Sequence, residues 1–225
     1  AEVVEASDSE AKLAKLKGAV LSGVDVRRAR TTSGADLSGC LNAPSDEALE
    51  RADMLLLKAR GNQIWCESGG REGSPAVLNG EDLRPFGSQL KGCRLSAIQA
   101  KDACLIGLDL SGAQLQGANF EGSDLRGVNL AHADLRGARL TGANLTKADL
   151  RGANLAPLPL GGGRVNPANL AGAALRYVVA VGADLTGAIL DAADVRGADF
   201  TGAKLEDTSL VQTDLSQAAG VMRAA

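Results

Sequence analysis

Residues 143–155 have the sequence Ala-Asn-Leu-Thr-Lys-Ala-Asp-Leu-Arg-Gly-Ala-Asn-Leu, and this five-residue pattern extends from Leu90 to Leu215. Of the 26 positions spaced by five over that stretch, 20 are Leu and the others are Phe, Val or Ala. The residue two before is Ala in 15 cases, the residue just before is Asp or Asn in 13, and the residue two after is Gly in 15. Since the frame never slips, the stretch is a tandem repeat.

A period of five excludes an α-helix, because helices place apolar residues every 3.6 positions, and it differs from the period of two of a flat strand. A short extended segment does put the small residue and the Leu of each repeat on one face, with Asp or Asn on the other. The Gly-rich position then allows a bend before the next repeat. Such repeats bury their apolar face by stacking on neighbouring repeats. The sequence therefore predicts an all-β solenoid.

Tandem Ala-Asn-Leu-x-Gly and Ala-Asp-Leu-x-Gly repeats resemble those of the pentapeptide-repeat family, and the resemblance covers residues 88–217. It implies a right-handed quadrilateral β-helix with one pentapeptide per side and four per coil. On this arrangement, Phe120 and Phe200 lie on the same side as Ala100, Leu140, Leu160 and Ala180. Ten residues are expected to stack in the bore: Leu110, Leu115, Phe120, Leu125, Leu130, Leu135, Leu140, Leu145, Leu150 and Phe200.

The rest of the chain is expected to belong to a single domain with one inserted α-helix near the N-terminus. Residues 1–13 are predicted to be disordered or a short helix, 14–43 a first degenerate coil, 44–75 a helix-and-loop insertion, and 76–220 the main solenoid. A register shift of two is expected around Pro85 and Phe86, before the long frame begins.

The inserted helix is predicted over residues 46–60, with Ser45 as its N-cap and Gly61 at its end. A short strand is predicted at 64–66, and Trp65 is expected to pack the helix onto the solenoid. The apolar face of the helix is expected to consist of Ala48, Leu49, Ala52, Leu55, Leu56 and Ala59.

Residues 156–167 interrupt the pattern. They keep the frame at Leu160 and Val165 but contain three Pro and three Gly, which predicts a bulged or ejected loop. Shortly afterwards, apolar residues take outward positions, so a candidate partner surface is formed by Tyr177, Val179, Val181, Leu158 and Arg164. The expected arrangement is that the loop folds down and Leu158 covers this patch; the alternative is an exposed contact surface.

Side chains with catalytic or metal-binding chemistry are few. His132, the one His, occupies a Gly-type position and is interpreted as a surface residue. Cys40, Cys66, Cys93 and Cys104 form no C-x-x-C pair, which is typical of reduced, packed thiols. A phosphate-binding loop is not indicated either, because the Gly run at 161–163 lacks the following Lys-Ser/Thr. We therefore expect no catalytic residue, no metal and no cofactor.

The charge pattern bears on partners. The net charge is −3, and residues 88–217 contain 13 Asp or Glu and 12 Lys or Arg, which disfavours nucleic-acid binding. No apolar segment is long enough to span a membrane, and we expect a cytoplasmic protein. The leading hypothesis is a non-enzymatic protein-interaction scaffold with an unidentified protein partner, and a bare C-terminal coil would allow an end-to-end homodimer.

Two other functions stay open. The family resemblance implies a DNA-mimicking binder of DNA gyrase, although Arg residues interrupt any acidic stripe. Alternatively, the chain is one repeat module of a larger protein.

Overall fold

The computed structural model describes residues 43–221 and the backbone of Val20–Leu21 and Leu41–Asn42. The chain forms two compact units, Ala1–Asp46 and Glu47–Ala225. In the first, β1 (Val20–Leu21) pairs in parallel with β2 (Leu41–Asn42), with Val20 opposite Leu41. The rest of the coil predicted at 14–43, and residues 1–13, lie outside the described residues and stay predictions.

The second unit is a solenoid in which single outward residues bridge successive coils in parallel. Arg94 pairs with Gln114, Gln114 with Asp134 and Asp134 with Asn154, always twenty residues apart. The N–H of Gln114 donates to the carbonyl of Cys93 in the coil before, at 2.9 Å, and its carbonyl accepts from Leu95 at 2.7 Å. The fold is a right-handed quadrilateral β-helix, so the solenoid predicted from the five-residue period and the form implied by the family resemblance are both confirmed.

The bore of the solenoid contains two kinds of inward residue. The central Leu and the small residue two before it are both buried, as for Leu140 and Ala138, each 0% exposed. The ten residues expected to stack in the bore are all buried. Because successive coils are about 4.8 Å apart, Ala138 is stacked between Ala118 and Ala168 of the neighbouring coils, which leaves no room for a larger side chain at position 138.

The prediction that Phe120 and Phe200 share a side is wrong. Beyond residue 156 the bridged residues are first separated by thirty positions, as between Arg139 and Asn169, before the separation returns to twenty. The ten extra residues move every later repeat by two sides. The side of Phe200 holds Leu130, Leu150 and Ala180, and the side of Phe120 holds Ala100, Leu140 and Leu170.

The corners between sides require a left-handed backbone. Among the described residues, every non-Gly residue with a positive φ lies two positions after a central residue, where Gly is most frequent. Such residues are strained by roughly 1 to 2 kcal/mol each, so Gly is the least strained corner residue. The non-Gly corner residues are Ala97, Asp102, His132, Lys147, Tyr177, Ala192, Asp207 and Gln212.

A β-hairpin leaves the solenoid where two corner positions are proline. Pro157 and Pro167 cannot adopt a positive φ, because the ring holds φ near −65°. Between them, β3 (Leu158–Gly161) pairs antiparallel with β4 (Arg164–Asn166). The ten-residue excursion predicted from the sequence is confirmed by the pairing of Asn154 with Asp184, thirty residues on.

The first coil contains the predicted register shift of two. Val77 pairs with Gln99 and Asp82 with Cys104, which are twenty-two residues apart. A 3-10 turn at Arg84–Phe86 takes up the extra residues, and its Phe86 is buried. The shift therefore adds an apolar side chain to the core without breaking the ladder.

Helix α1 (Asp46–Glu67) is longer than predicted. Neither the end at Gly61 nor the strand at 64–66 is observed, because Gly61 continues as helix and the loop that follows packs on it. A Cβ at Gly73 would lie 2.3 Å from the Gly61 carbonyl oxygen, so the loop passes directly over the helix backbone there. Trp65 lies against Gly70 of the same loop. Leu55 and Ala59 join the solenoid core as predicted, whereas Leu49 is exposed.

Asn62 joins α1 to the solenoid through a fully buried side-chain amide. Its Oδ1 accepts from the N–H of Ala76 at 2.7 Å, and its Nδ2 donates to the carbonyl of Ser96 at 3.1 Å. In the regular coils, the equivalent N–H and carbonyl groups bond to other backbone groups. The side-chain amide of Asn62 therefore replaces those backbone partners at the N-terminal coils. The helix is thereby held at the N-terminal coils, together with the ion pair between Arg51 and Glu81.

Replacing Ala138 by Leu should over-pack the bore. Ala138 is 0% exposed, and an inserted isobutyl group forces its neighbours apart at a cost of about 1 to 3 kcal/mol in the free energy of unfolding. The matched control Thr141→Ala, at a part-exposed outward position, should change it little. Denaturant unfolding followed by circular dichroism measures both, and an unchanged stability for Ala138→Leu would contradict the packing described.

Replacing Asn62 by Ala should leave the Ala76 N–H and the Ser96 carbonyl unpaired. Each unpaired buried group costs about 1 to 3 kcal/mol, so the melting temperature should fall clearly. Gln63→Ala removes only a bond to Glu67 on the exposed face and should cost below about 0.5 kcal/mol. Equal melting temperatures for the two variants would show that Asn62 does not hold the helix.

Replacing residues 157–167 by a single Gly should excise the hairpin and leave the β-helix intact. The replacement removes ten residues, restores the twenty-residue separation of Arg139 and Asn169, and supplies a corner residue that tolerates a positive φ. We expect the free energy of unfolding to change by on the order of 1 kcal/mol or less, because shortening a loop has a small entropic effect. Loss of the β-helix spectrum would show that the hairpin is required for folding.

Candidate partner-binding surfaces

The β3–β4 hairpin is anchored at its base on the corner formed by Gly137. Asn166 Nδ2 donates to the Gly137 carbonyl at 2.9 Å. Leu158 lies so close that a Cβ at Gly137 would be 2.7 Å from the Leu158 Cβ. The Leu158 Cδ2 reaches Gly117, which occupies the same corner in the coil before. Gly at position 137 therefore allows the hairpin to lie against the solenoid wall.

The other side chains of the hairpin are exposed. Leu160 is 54% exposed and Val165 is 59% exposed, and Arg164 is also exposed. The tip residues Gly161, Gly162 and Gly163 are all left-handed. We call Leu160, Arg164 and Val165 the hairpin surface. The sequence placed Leu160 and Val165 in the repeat frame as if they were core residues, and the corner prolines were the signal that they are not.

A second apolar surface consists of Tyr177, Val179 and Val181, which we call the Tyr177 row. Tyr177 is 60% exposed, Val179 is 37% exposed and Val181 is part-exposed. The expectation that Leu158 covers this row is wrong. Leu158 lies on the corner of Gly117 and Gly137, whereas Tyr177 follows Lys147 at a corner ten residues, and hence two sides, away. The predicted partner surface is therefore two separate surfaces.

The ring of Tyr177 lies over Gly197 in the following coil, where a Cβ would be 2.6 Å from the Tyr177 Cδ1. The Tyr177 N–H also donates to the Arg196 carbonyl at 3.0 Å. His132 lies over Gly152 in the same manner. At both corners, the ring is accommodated because the same corner of the next coil is Gly.

Five carboxylates of the solenoid are held both by the local backbone and by the Arg two positions later. Asp149 Oδ1 accepts from the Arg151 N–H at 3.0 Å, and its carboxylate forms an ion pair with the Arg151 guanidinium. Hydrogen bonds from Arg151 lower the pKa of Asp149. The same pairing recurs at Asp82–Arg84, Asp124–Arg126, Asp134–Arg136 and Asp194–Arg196. These acids stabilise turns and are not available as free bases.

Groups with the chemistry of a catalytic or metal site stay apart from one another. His132 is exposed at its corner, and the free thiols of Cys66, Cys93 and Cys104 are part-buried. Burial raises the pKa of the Cys93 and Cys104 thiols. In residues 43–221, three His, Cys, Asp or Glu side chains never come together in a group that could hold a metal ion. Within the same part of the chain, a helix with the length and hydropathy of a membrane span is absent.

A shallow groove of about 560 Å³ lies between α1 and residues 73–77. Met54 and Leu57 of the helix and Val77 of the first coil line it, and all three are exposed. Sequence analysis missed this groove, because the helix pattern indicated a single apolar face.

Comparison with known families gives a match to the pentapeptide repeats. Eight copies are matched, over residues 88–131, 123–156, 168–207 and 198–218, which is more than half of the chain. The gap at 157–167 coincides with the β3–β4 hairpin. No curated protein gives a significant match.

Several solved structures are similar to this chain. HetL, a pentapeptide repeat protein involved in heterocyst differentiation regulation in the cyanobacterium Nostoc sp. strain PCC 7120, is 33% identical with a TM-score of 0.36, over 60% of this chain and 62% of HetL. Rfr23, a pentapeptide repeat protein from the cyanobacterium Cyanothece 51142, is 27% identical with a TM-score of 0.28, over 57% of this chain and 88% of Rfr23. A trypsin-treated form of QnrB1, a plasmid-mediated fluoroquinolone resistance protein, is 20% identical with a TM-score of 0.33, over 64% of this chain and 78% of QnrB1.

The alignment with HetL thus spans less than two thirds of HetL. The repeat pattern, the twenty-residue ladder and the eight matched copies lead to one conclusion: this chain belongs to the pentapeptide repeat family.

Proposed function

We propose that this protein is a non-enzymatic protein-interaction scaffold that presents the hairpin surface to a protein partner. Pentapeptide repeat proteins are generally structural or interaction scaffolds. The observation that carries the proposal is the exposure of Leu160 and Val165 on an element that leaves the solenoid wall. Exposed large aliphatic side chains grouped on a projecting element are typical of partner-binding sites.

The rigidity of the base supports this role. The hairpin is joined to the solenoid at Gly137 through Asn166 and Leu158, so its orientation is set by the wall. Each coil is in turn bonded to the coils on either side through backbone N–H groups and carbonyls. A partner therefore meets a preorganised surface, which reduces the entropy lost on binding.

The DNA-mimic alternative is less well supported. A mimic of duplex DNA requires a continuous row of uncompensated negative charge, whereas five Asp residues of the solenoid are each paired with the Arg two positions later. The same pairs leave no basic track for nucleic acid. We expect no effect of the protein on gyrase supercoiling, and protection of gyrase would revive the alternative.

The end-to-end homodimer stays a prediction, and so do the cytoplasmic location and the place of this chain in a larger protein. Leu205, Leu210 and Leu215 of the last described coil are part-exposed, which is compatible with end-to-end contact. Thr208 and Thr213 take inward positions there, and their hydroxyls donate to carbonyls of the previous coil.

Site-specific photo-crosslinking in the native cells tests the scaffold. A benzophenone amino acid at position 160 or 165 should give a discrete adduct of higher mass, because these side chains would lie in the interface. The matched control is position 114, an exposed polar residue of the solenoid wall. The absence of an adduct at both hairpin positions, or the same adducts at position 114, would contradict the proposal.

A further inference from the structure

The Tyr177 row has the alternation of an extended chain. Val178 and Ala180, which separate its members, are each 1% exposed and point into the bore. The row is fixed by backbone bonds on both edges, since the Val179 N–H donates to the Ala148 carbonyl of the coil before at 3.1 Å and the Tyr177 N–H donates to the Arg196 carbonyl of the coil after at 3.0 Å. The row is therefore a short apolar strip that runs along one side of the coil, from the left-handed corner at Tyr177 through the bridged Val179 to the turn at Val181.

Positive charge borders one end of this strip. The Lys147 N–H donates to the Arg176 carbonyl, so Lys147 occupies the corner next to Tyr177. Arg176 and Arg196, the residues just before the Tyr177 and Gly197 corners, both form ion pairs with Asp194. Hydrogen bonds from Arg196 and from Arg176 hold the pKa of Asp194 far below its usual range. One carboxylate thus serves two guanidinium groups, which leaves a net positive charge there.

The acids beside the strip are already bonded. Asp149 is paired with Arg151 in the coil before. Asp199, in the coil after, accepts from the Thr201 N–H at 2.9 Å and from its hydroxyl at 2.6 Å. The negative charge of Asp199 is not paired with an Arg among residues 43–221. It is outweighed by the positive charge of Lys147 together with the net positive charge of the Arg176–Asp194–Arg196 group. The surroundings of the strip are therefore more positive than the chain as a whole, whose net charge is −3.

We propose that the Tyr177 row binds an extended peptide in which apolar side chains alternate with carboxylates. Apolar side chains at a two-residue spacing would contact Tyr177, Val179 and Val181, and the carboxylates would lie toward Lys147 and the paired guanidinium groups. This proposal rests on the scaffold function and adds a second recognition surface to it, two sides away from the hairpin. Guanidinium groups are suited to carboxylate binding, because they offer several donors in one plane.

The test measures fluorescence anisotropy with labelled peptides of about seven residues that alternate Asp or Glu with Val, Ile or Leu. The test variant combines Tyr177→Gly, Val179→Asn and Val181→Thr, which install residues found at the same positions of other coils: Gly197, Asn129 and Thr201. The control is Val211→Thr, which removes a more exposed Val elsewhere on the solenoid. The wild type and the control should bind alike, and the triple variant should bind at least about tenfold more weakly. The affinity should also fall with added salt.

Three results would overturn the proposal. They are no binding of the acidic peptides by the wild type, equal binding by the triple variant, and equal binding of peptides in which Lys replaces the acids. Stronger binding of a short oligothymidine than of the peptides would assign the row to nucleic acid instead. Circular dichroism of the triple variant shows that the β-helix is kept.

The outcome can be separated from that of the scaffold test. Crosslinks at positions 160 and 165 depend on the hairpin, whereas peptide binding depends on the Tyr177 row. Crosslinks without peptide binding would leave the scaffold in place and remove this inference. Peptide binding without crosslinks would support the Tyr177 row as a binding surface and contradict the proposal for the hairpin surface.

Discussion

The hydrogen-bonded ladder between coils is the interaction on which this structure depends. Each bridged residue directs both its N–H and its carbonyl to the coil before, and the carbonyl and the N–H of its two chain neighbours bond to the coil after, so two neighbouring rungs can form only if the chain completes one circuit in a fixed number of residues. Completing a circuit with four short sides requires a sharp turn every five residues. The left-handed corner supplies that turn, and this explains both the abundance of Gly and the strain accepted at Lys147 and Tyr177.

The same corner requirement explains the irregular parts. Pro157 and Pro167 occupy corner positions ten residues apart and cannot adopt the left-handed turn, and the residues between them leave the wall as a hairpin. Because ten is a multiple of five, Ala168 returns to an inward position and the ladder resumes. The first coil has two extra residues, which are accommodated within the coil by a 3-10 turn whose Phe86 is buried.

The surfaces follow from what the core leaves outside. Inward positions are filled by Leu and Ala, so differences between pentapeptide repeat chains have to lie at outward positions, at corners and in excursions. In this chain, the outward acids are mostly used in turns and in pairs with Arg, which leaves the hairpin surface and the Tyr177 row as the features that interrupt a regular, charge-balanced wall. Function is proposed at these interruptions, because the regular wall offers the same polar pattern on every coil.

The sequence by itself determined the solenoid, its inward and outward positions, the ejected segment and the inserted helix, because a five-residue period has few physical solutions and each inward position repeats. It did not determine the length of α1, since the helix continues past Gly61 only because Gly73 packs over it and Asn62 bonds to Ala76 and Ser96. It also could not place Leu158 on the corner of Gly137, away from Tyr177. That separation, like the different sides of Phe120 and Phe200, arises because ten residues outside the wall rotate all later repeats by two sides. The five-residue spacing is the same before and after the hairpin, so the sequence pattern does not show the rotation. The side on which each later repeat lies is determined only by the pairing between coils.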